Sequence, residues 1–166
     1  MPVTSPPSST TFSSCARAAT TAEARYRIDA PIAPSRGVRV VALDAGAALV
    51  ASRVAAREWG NARFLVCEGD ADRLVLRGIG AGPVDVAQQL EGADAVVMIA
   101  TEDAAAGRAS ALGQACAGRA VMTAGLVIGG GVAAEHAVTA LRPHARVLLP
   151  SADESDVVEL LDALRA

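Results

Sequence analysis

Two turns of this sequence carry acidic side chains at places where a strand-and-helix protein would bind phosphate. One runs from Asp44 to Gly46 and the other from Thr101 to Ala104, and each follows an apolar run. A phosphate-binding turn offers glycines and backbone N–H groups, because a Cβ atom or a negative charge keeps a phosphate away. Asp44, Glu102 and Asp103 supply that charge. We therefore predict that these turns bind phosphate weakly or not at all.

The second turn also suits the capping of a helix. Thr101 and Asp103 are both good N-cap residue types for the helix that we expect from Asp103 to Ala117. Glu102 and Asp103 would lie at the positive end of its dipole, where each charge stabilises the helix by about 0.3–1 kcal/mol. The sequence thus predicts that this turn caps its own helix.

Glycines mark the other places where an anion could bind. The run from Gly129 to Gly131 follows a strand and opens a helix, so its N–H groups are candidates. A plain tight turn is the interpretation that we favour, because no Ser, Thr or Lys of the phosphate-loop kind is near. If a reduced phosphate cradle is retained, its residues are Gly46, Gly78, Gly80, Gly82, Thr101, Gly107, Gly129 and Gly130.

Other chemistries find less support. Glu68 and Asp70 follow the second strand, where a dinucleotide fold places a ribose-binding acid, but the turn after Asp44 lacks the outer glycines of GxGxxG. His136 and His144 have no second imidazole or cysteine at metal-ligand spacing. We expect Cys67 to be a buried thiol rather than a nucleophile. The sequence therefore predicts no catalytic residue and no metal site.

The elements that position these residues alternate between strands and helices. Strands are predicted at 38–43, 63–67, 73–79, 93–100, 119–128 and 145–149, and helices at 47–59, 84–90, 103–117, 132–141 and 154–164. The first, fourth and fifth strands are apolar on both faces, as parallel strands covered by helices should be. We predict a doubly wound, mostly parallel α/β sheet of order 3-2-1-4-5-6 with helices on both faces.

Composition limits the chain to one small domain with a leader. Of 166 residues 52% are apolar, which suffices for a single core. Residues 1–36 are rich in Pro, Ser and Thr and predict a flexible leader, with a possible short strand at 25–32, and residues 37–166 form the α/β domain. The leader has no apolar segment typical of a secretory signal, and no apolar run of 18 residues occurs.

Charge and cysteine content exclude several classes of partner and compartment. The 15 basic residues are all arginine, the net charge is −3 and aromatic residues make up 2%, so neither nucleic acid nor a membrane surface is expected. The three cysteines, Cys15, Cys67 and Cys116, show no CxxC spacing. We interpret them as free thiols in a reducing cytoplasm.

Three segments carry a resemblance to a known family. The stretches from Gly78 to Pro83, from Leu90 to Ala100 and from Arg142 to Pro150 resemble the bacterial tubulin homologue FtsZ. In that family they correspond to a GLGAG turn, to the strand before the glycine-rich signature loop and to the strand that introduces the central helix. Order and approximate spacing match from about Arg36 to Arg165. The resemblance covers only the GTPase-type half of the family and implies a tubulin-like fold.

The departures from the family are as informative as the matches. The signature loop GGGTGTG corresponds to 101–107 here, and only Gly107 remains glycine. The resemblance implies that Glu102 and Asp103 occupy the site that a nucleotide phosphate takes in the family. The family's hydrolysis also needs an acidic loop beyond the central helix, and no residue of this chain matches it. The resemblance therefore implies a domain without GTP hydrolysis, in which GTP or GDP binding is doubtful and no cofactor is expected.

Three functions remain open on these grounds. The first is a binding or interaction module that docks onto a protein partner, or onto a second copy, through the C-terminal helix or the sheet edge beside it. Val157, Leu160, Leu161 and Leu164 form the apolar stripe of this helix, and Val158 is expected at the edge of an uncovered patch. The second is a nucleotide-binding protein that uses the reduced cradle. The third is a small Rossmann-type oxidoreductase.

Overall fold

The computed structural model describes residues 35–130 and 134–166 of the chain. Residues 1–34 of the predicted leader, which include the possible strand at 25–32 and Cys15, lie outside the described residues, and so does Gly131 of the predicted glycine run. The compact unit described below begins at Ser35 and ends at Ala166.

Strands and helices alternate through this unit. The strands are β1 (Val38–Ala42), β2 (Ala62–Asp70), β3 (Arg73–Gly78), β4 (Pro83–Val84), β5 (Ala95–Ala100), β6 (Met122–Ile128) and β7 (Val147–Ala152). The helices are α1 (Ala45–Ala55), α2 (Val86–Leu90), α3 (Ala106–Ala117), α4 (Glu135–Leu141) and α5 (Glu154–Leu164), and a 3₁₀ turn (Asp103–Ala105) precedes α3.

The seven strands form one sheet in the order β4-β3-β2-β1-β5-β6-β7. The pairs β2–β1, β1–β5, β5–β6 and β6–β7 are parallel, whereas β2–β3 and β3–β4 are antiparallel. Only Ala71 and Asp72 separate β2 from β3, and a connection this short allows an antiparallel hairpin but no parallel crossover. The predicted α/β class is confirmed, and the sheet is mixed rather than uniformly parallel.

Alternating strand residues build one core on each face of the sheet. Val41 and Leu43 point to the face that α2, α3 and α4 cover, while Val38 and Val40 point to the face of α1 and α5. Every residue of β1 and β5 is buried. Continuous burial explains why these strands are apolar throughout.

Some element boundaries differ from the sequence-based expectation. The predicted helix at 84–90 begins only at Val86, because Pro83 and Val84 pair with β3 as an edge strand. Asp85 then caps α2 by accepting a hydrogen bond from the N–H of Gln88 at 2.8 Å. Helix α4 begins at Glu135, so His136 lies in its first turn and not in its middle.

The C-terminal helix has the boundaries that its sequence predicts. Its start carries a capping box, in which Asp153 accepts from the backbone of Asp156 and the Asp156 side chain accepts from the backbone of Asp153. Val157 and Leu161 are fully buried against the sheet. Val158 is half-buried and packs on the same core, so it is less exposed than the sequence suggested. Within the described ranges, no helix combines the length and apolar character that a membrane crossing needs.

Candidate functional site

The two acidic turns meet at one place on the sheet. Asp44 follows β1 and Thr101 follows β5, and these strands are parallel neighbours with Ala42 opposite Ile99. Strands β2, β3 and β4 extend the sheet on one side of β1, and β5, β6 and β7 extend it on the other side. The carboxyl ends of β1 and β5 are therefore the topological switch point, where open α/β sheets bind their ligands.

The carboxylate of Asp44 fills the space between the turns. Its Oδ1 accepts hydrogen bonds from the backbone N–H of Ala47 at 2.8 Å and from Thr101 Oγ1 at 2.6 Å. Its Oδ2 accepts from the N–H of Thr101 at 2.7 Å and, more weakly, from the N–H of Glu102 at 3.3 Å. Both carboxylate oxygens are thus engaged by donors from two separate segments of the chain.

This arrangement is what a bound anion would require. Asp44 is the N-cap of α1 and is only 4% exposed, so its charge is removed from bulk water. Burial of an ion is tolerated when hydrogen bonds replace its hydration, and the N-terminus of a helix favours negative charge. We expected the carboxylates of Glu102 and Asp103 at this place, but the carboxylate found here is that of Asp44. The side chain of Asp103, in contrast, is directed elsewhere.

Gly46 belongs to the same site for a steric reason. A Cβ atom added to Gly46 would overlap Thr101 Oγ1 and lie 3.1 Å from Thr101 Cβ. The absence of a side chain at Gly46 therefore makes room for Thr101, which then reaches Asp44. Gly46 and Thr101, two of the predicted cradle residues, lie together. The hydroxyl of Thr101 itself takes up the space beside Gly46 that the cradle hypothesis requires for a phosphate.

The prediction that Thr101 or Asp103 caps the following helix is wrong. The N-cap residues of the 3₁₀ turn and of α3, Glu102 and Ala105, form no side-chain cap bond in the described structure. Thr101 uses its hydroxyl on Asp44, and Asp103 turns toward α4, where its Oδ1 accepts from the N–H groups of His136 at 2.7 Å and Ala137 at 3.1 Å. The Asp103 carboxylate thus binds N–H groups of a distant helix instead of those of the helix that follows it.

Asp103 also forms an ion pair with His136. The distance between Asp103 Oδ2 and His136 Nδ1 is 2.7 Å, and the imidazole is 82% exposed. The hydrogen bond and the adjacent carboxylate raise the pKa of His136 above its ordinary value, and the hydrogen bonds from His136 and Ala137 lower the pKa of Asp103. His136 was expected within a helix, but no pattern in the sequence indicated this pair.

The glycines of the predicted cradle are divided between the two edges of the sheet. Gly78 pairs with Leu65 at the end of β3, which runs antiparallel to β2. The turn through Gly80 and Gly82 therefore points toward the amino ends of the parallel strands, away from Asp44. A Cβ atom on either of these two glycines would meet no atom within 4 Å. The structure does not bring this turn to the switch point.

The remaining glycines lie at the carboxyl edge with the acidic turns. Gly107 is in the first turn of α3, facing the tip of the β2–β3 hairpin at Ala71. Gly129 and Gly130 follow β6 with φ angles of 81° and 57°, and a Cβ atom on Gly130 would lie 2.8 Å from the hydroxyl of Ser151. Gly129 and Gly130 need glycine for the positive φ angles of the turn, and Gly130 also for its close approach to β7.

Arg108 is a further residue that the sequence analysis did not identify. Its Nε donates to the carbonyl of Gly69 at 2.8 Å and its Nη1 to the carbonyl of Leu43 at 2.7 Å. One guanidinium thereby joins α3, the β2–β3 hairpin and the residue before Asp44. No local sequence pattern signals a contact across 65 positions.

The two cysteines of the described residues are accounted for by packing. Cys67 and Cys116 are buried free thiols as predicted, and burial raises the pKa of each to about 11. Among the described residues, no group of three or more His, Cys, Asp or Glu side chains could hold a metal ion. A cavity of about 670 Å³ lies between α2 and the start of β6, at the edge opposite Asp44.

Comparison with known proteins gives no family for this chain. No protein-family model matches it, and no curated protein matches it. Among solved structures, the chain is similar to the crystal structure of conserved hypothetical protein BatB from Bacteroides thetaiotaomicron, at 9% sequence identity and a TM-score of 0.47. That similarity covers 76% of this chain and 97% of the other. At this level the similarity assigns neither a family nor an activity.

Proposed function

We propose that this protein is a cytoplasmic binding or interaction module on an FtsZ-like or tubulin-like α/β domain, without nucleotide hydrolysis. The observation that supports the proposal is the carboxylate of Asp44, which takes up the donors at the switch point. A nucleotide phosphate at this place would have to displace a buried carboxylate or lie against it. The described strand order, β3-β2-β1-β5-β6-β7 with the short β4 beside β3, is compatible with the order 3-2-1-4-5-6 that the proposal expects.

Electrostatics makes nucleotide binding at this position unfavourable. Two like charges 4 Å apart repel by about 4 kcal/mol at the effective dielectric constant of a protein surface. The donors that would offset this repulsion, Thr101 and the N–H of Ala47, already bind Asp44. Glu102, at the next position of the turn, adds another carboxylate. The reduced cradle is therefore the less favoured of the two main hypotheses.

The partner surface in this proposal is α5 or the sheet edge beside it. Strand β7 ends the described sheet, and α5 follows it directly. Val147, in the first position of β7, is 44% exposed, which is unusual for a large apolar side chain in the described ranges. We propose a protein partner or a second copy of the chain at this edge.

A thermal-shift panel tests the proposal. The protein is heated with GTP, GDP, ATP, NAD or FAD, each with Mg²⁺, at millimolar concentration. A ligand present at a hundred times its dissociation constant adds about 2.7 kcal/mol, which raises the Tm of a domain of this size by about 5–10 °C. We expect no shift with any of them. A shift with GTP or GDP would favour the reduced cradle, and a shift with NAD or FAD would favour the oxidoreductase alternative.

A further inference from the structure

Asp103 joins two elements that are distant in sequence. It lies in the 3₁₀ turn after β5, and its carboxylate binds the first turn of α4, 33 positions farther along the chain. Three hydrogen bonds are involved, two to the backbone N–H groups of His136 and Ala137 and one to His136 Nδ1. The carboxylate thus holds both the backbone and the side chain of His136.

Helix α4 depends on this contact because its N-cap residue, within the described part of the chain, forms no side-chain cap bond. Its N-cap residue is Ala134, whose side chain cannot accept a hydrogen bond. The first N–H groups of a helix have no partner within the helix and need one from outside. Asp103 provides it for two of them. Loss of Asp103 from this position would therefore free the start of α4.

The charged groups around His136 are few and mostly negative. Asp103 faces it from the 3₁₀ turn, and Glu135 precedes it in α4. Helix α3, which also packs on α4, carries Arg108, but that guanidinium binds the carbonyls of Leu43 and Gly69. Strand β6 carries no charged residue. The surroundings therefore favour the protonated imidazole.

We propose that the Asp103–His136 pair is a pH-sensitive latch that fastens the start of α4 to the turn between β5 and α3. When His136 is protonated, the pair is a charge-assisted hydrogen bond, which is stronger than one between neutral groups. When the imidazole loses its proton, the charge-assisted part is lost and the backbone bonds of Asp103 hold α4 alone. The imidazole is exposed to water, so it can follow the pH of the solution.

The direction of the effect follows from proton linkage. The pKa of His136 is higher in the folded protein than in the unfolded chain. The stability that the pair contributes is therefore fully present below the ordinary histidine pKa and is lost as the pH rises through the raised value. The latch also lies next to the switch point, because Thr101 and Glu102 of the same turn donate to Asp44.

Two linked NMR measurements test the latch, both made on the full chain and observed at residues of the described domain. The first follows the imidazole of His136 through a pH titration, in the wild-type protein and in Asp103→Asn. The second records hydrogen-exchange protection factors for the amides of His136 and Ala137, corrected for intrinsic exchange, at pH values below and above the pKa of the His136 imidazole. We expect a lower pKa in Asp103→Asn. As the pH rises, protection should fall by a factor of ten raised to the difference between the His136 pKa of the wild type and that of Asp103→Asn.

Two further variants separate the latch from a merely structural contact. His136→Gln lies at an exposed position, keeps the backbone bonds to Asp103 and removes the titrating group, so protection of the Ala137 amide should no longer depend on pH. Glu135→Gln removes the other nearby carboxylate and should change the titration little. The latch is refuted if His136→Gln retains the wild-type pH dependence, a result that remains decisive even if Asp103→Asn fails to fold. Equal His136 pKa values in wild type and Asp103→Asn would also refute it.

Discussion

Replacement of Asp44 by Asn should destabilise the protein far more than the same change at an ordinary helix cap. The carboxylate of Asp44 has two accepting oxygens, and each serves two donors. An amide has one oxygen and one NH₂ group. Whichever way the amide is turned, its NH₂ faces a donor, either the N–H of Thr101 or the N–H of Ala47.

The expected magnitude follows from the donors that lose their partner. A buried donor without a partner costs about 1–3 kcal/mol. The N–H of Glu102 contributes little, because its 3.3 Å bond is long and Glu102 is exposed, so water can replace Asp44 there. We expect a loss of about 2–3 kcal/mol for Asp44→Asn. For Asp44→Ala, which also removes the cap of α1, we expect about 3–5 kcal/mol.

The matched control is Asp85→Asn. Asp85 caps α2 through a single bond from the N–H of Gln88 at 2.8 Å and is exposed. Asn is as good an N-cap as Asp, so this change should cost less than about 0.5 kcal/mol. Urea denaturation followed by circular dichroism gives the free energy of unfolding of all variants. Equal losses for Asp44→Asn and Asp85→Asn would show that Asp44 is an ordinary cap and refute the closed site.

Further predictions concern three other places in the fold. Gly46→Ala should destabilise the protein by about 1–2 kcal/mol in chemical denaturation, although Ala normally favours a helix, because its Cβ would overlap Thr101; an unchanged midpoint would contradict this contact. Hydrogen bonds from Ser155 and Asp156 lower the pKa of Asp153, so its contribution to stability should be present above the ordinary aspartate pKa and vanish as the pH falls through the lowered value, a dependence that Asp153→Asn should not show. Leu161→Asp should unfold the domain at a cost of about 3–5 kcal/mol, as seen by circular dichroism, whereas Val158→Asp, at a half-buried position on the same core, should cost less stability and also weaken association in size-exclusion chromatography with light scattering.

The sheet was predictable because its strands are short, apolar and regularly spaced. Val38–Ala42 and Ala95–Ala100 are buried on both faces. A short run that is apolar at every position is typical of a central parallel strand covered by helices. The C-terminal helix was predictable because its stripe from Val157 to Leu164 has helical spacing. Local pattern and tertiary packing agree in these elements.

The site was predictable in type but not in its contacts. Acidic turns at strand ends predicted that carboxylates of the protein fill this place, yet three of the four donors to Asp44 lie 57 or 58 positions away, in Thr101 and Glu102. Local capping rules assigned Asp103 to its own helix, but α4 lacks a cap and draws the carboxylate away. The turn from Gly78 to Gly82 was misplaced because its location depends on β3 running antiparallel, and the pattern of apolar residues does not encode strand direction.

The central claim is that the anion position between β1 and β5 is occupied by Asp44 and closed to nucleotide. Its most direct test is a titration of ¹⁵N-labelled wild-type protein with GTP and Mg²⁺, observed at the amides of Ala47, Thr101 and Glu102, three donors that would turn to a phosphate. We predict that these three resonances do not move at millimolar GTP. Saturable shifts of all three with a micromolar Kd would contradict the account.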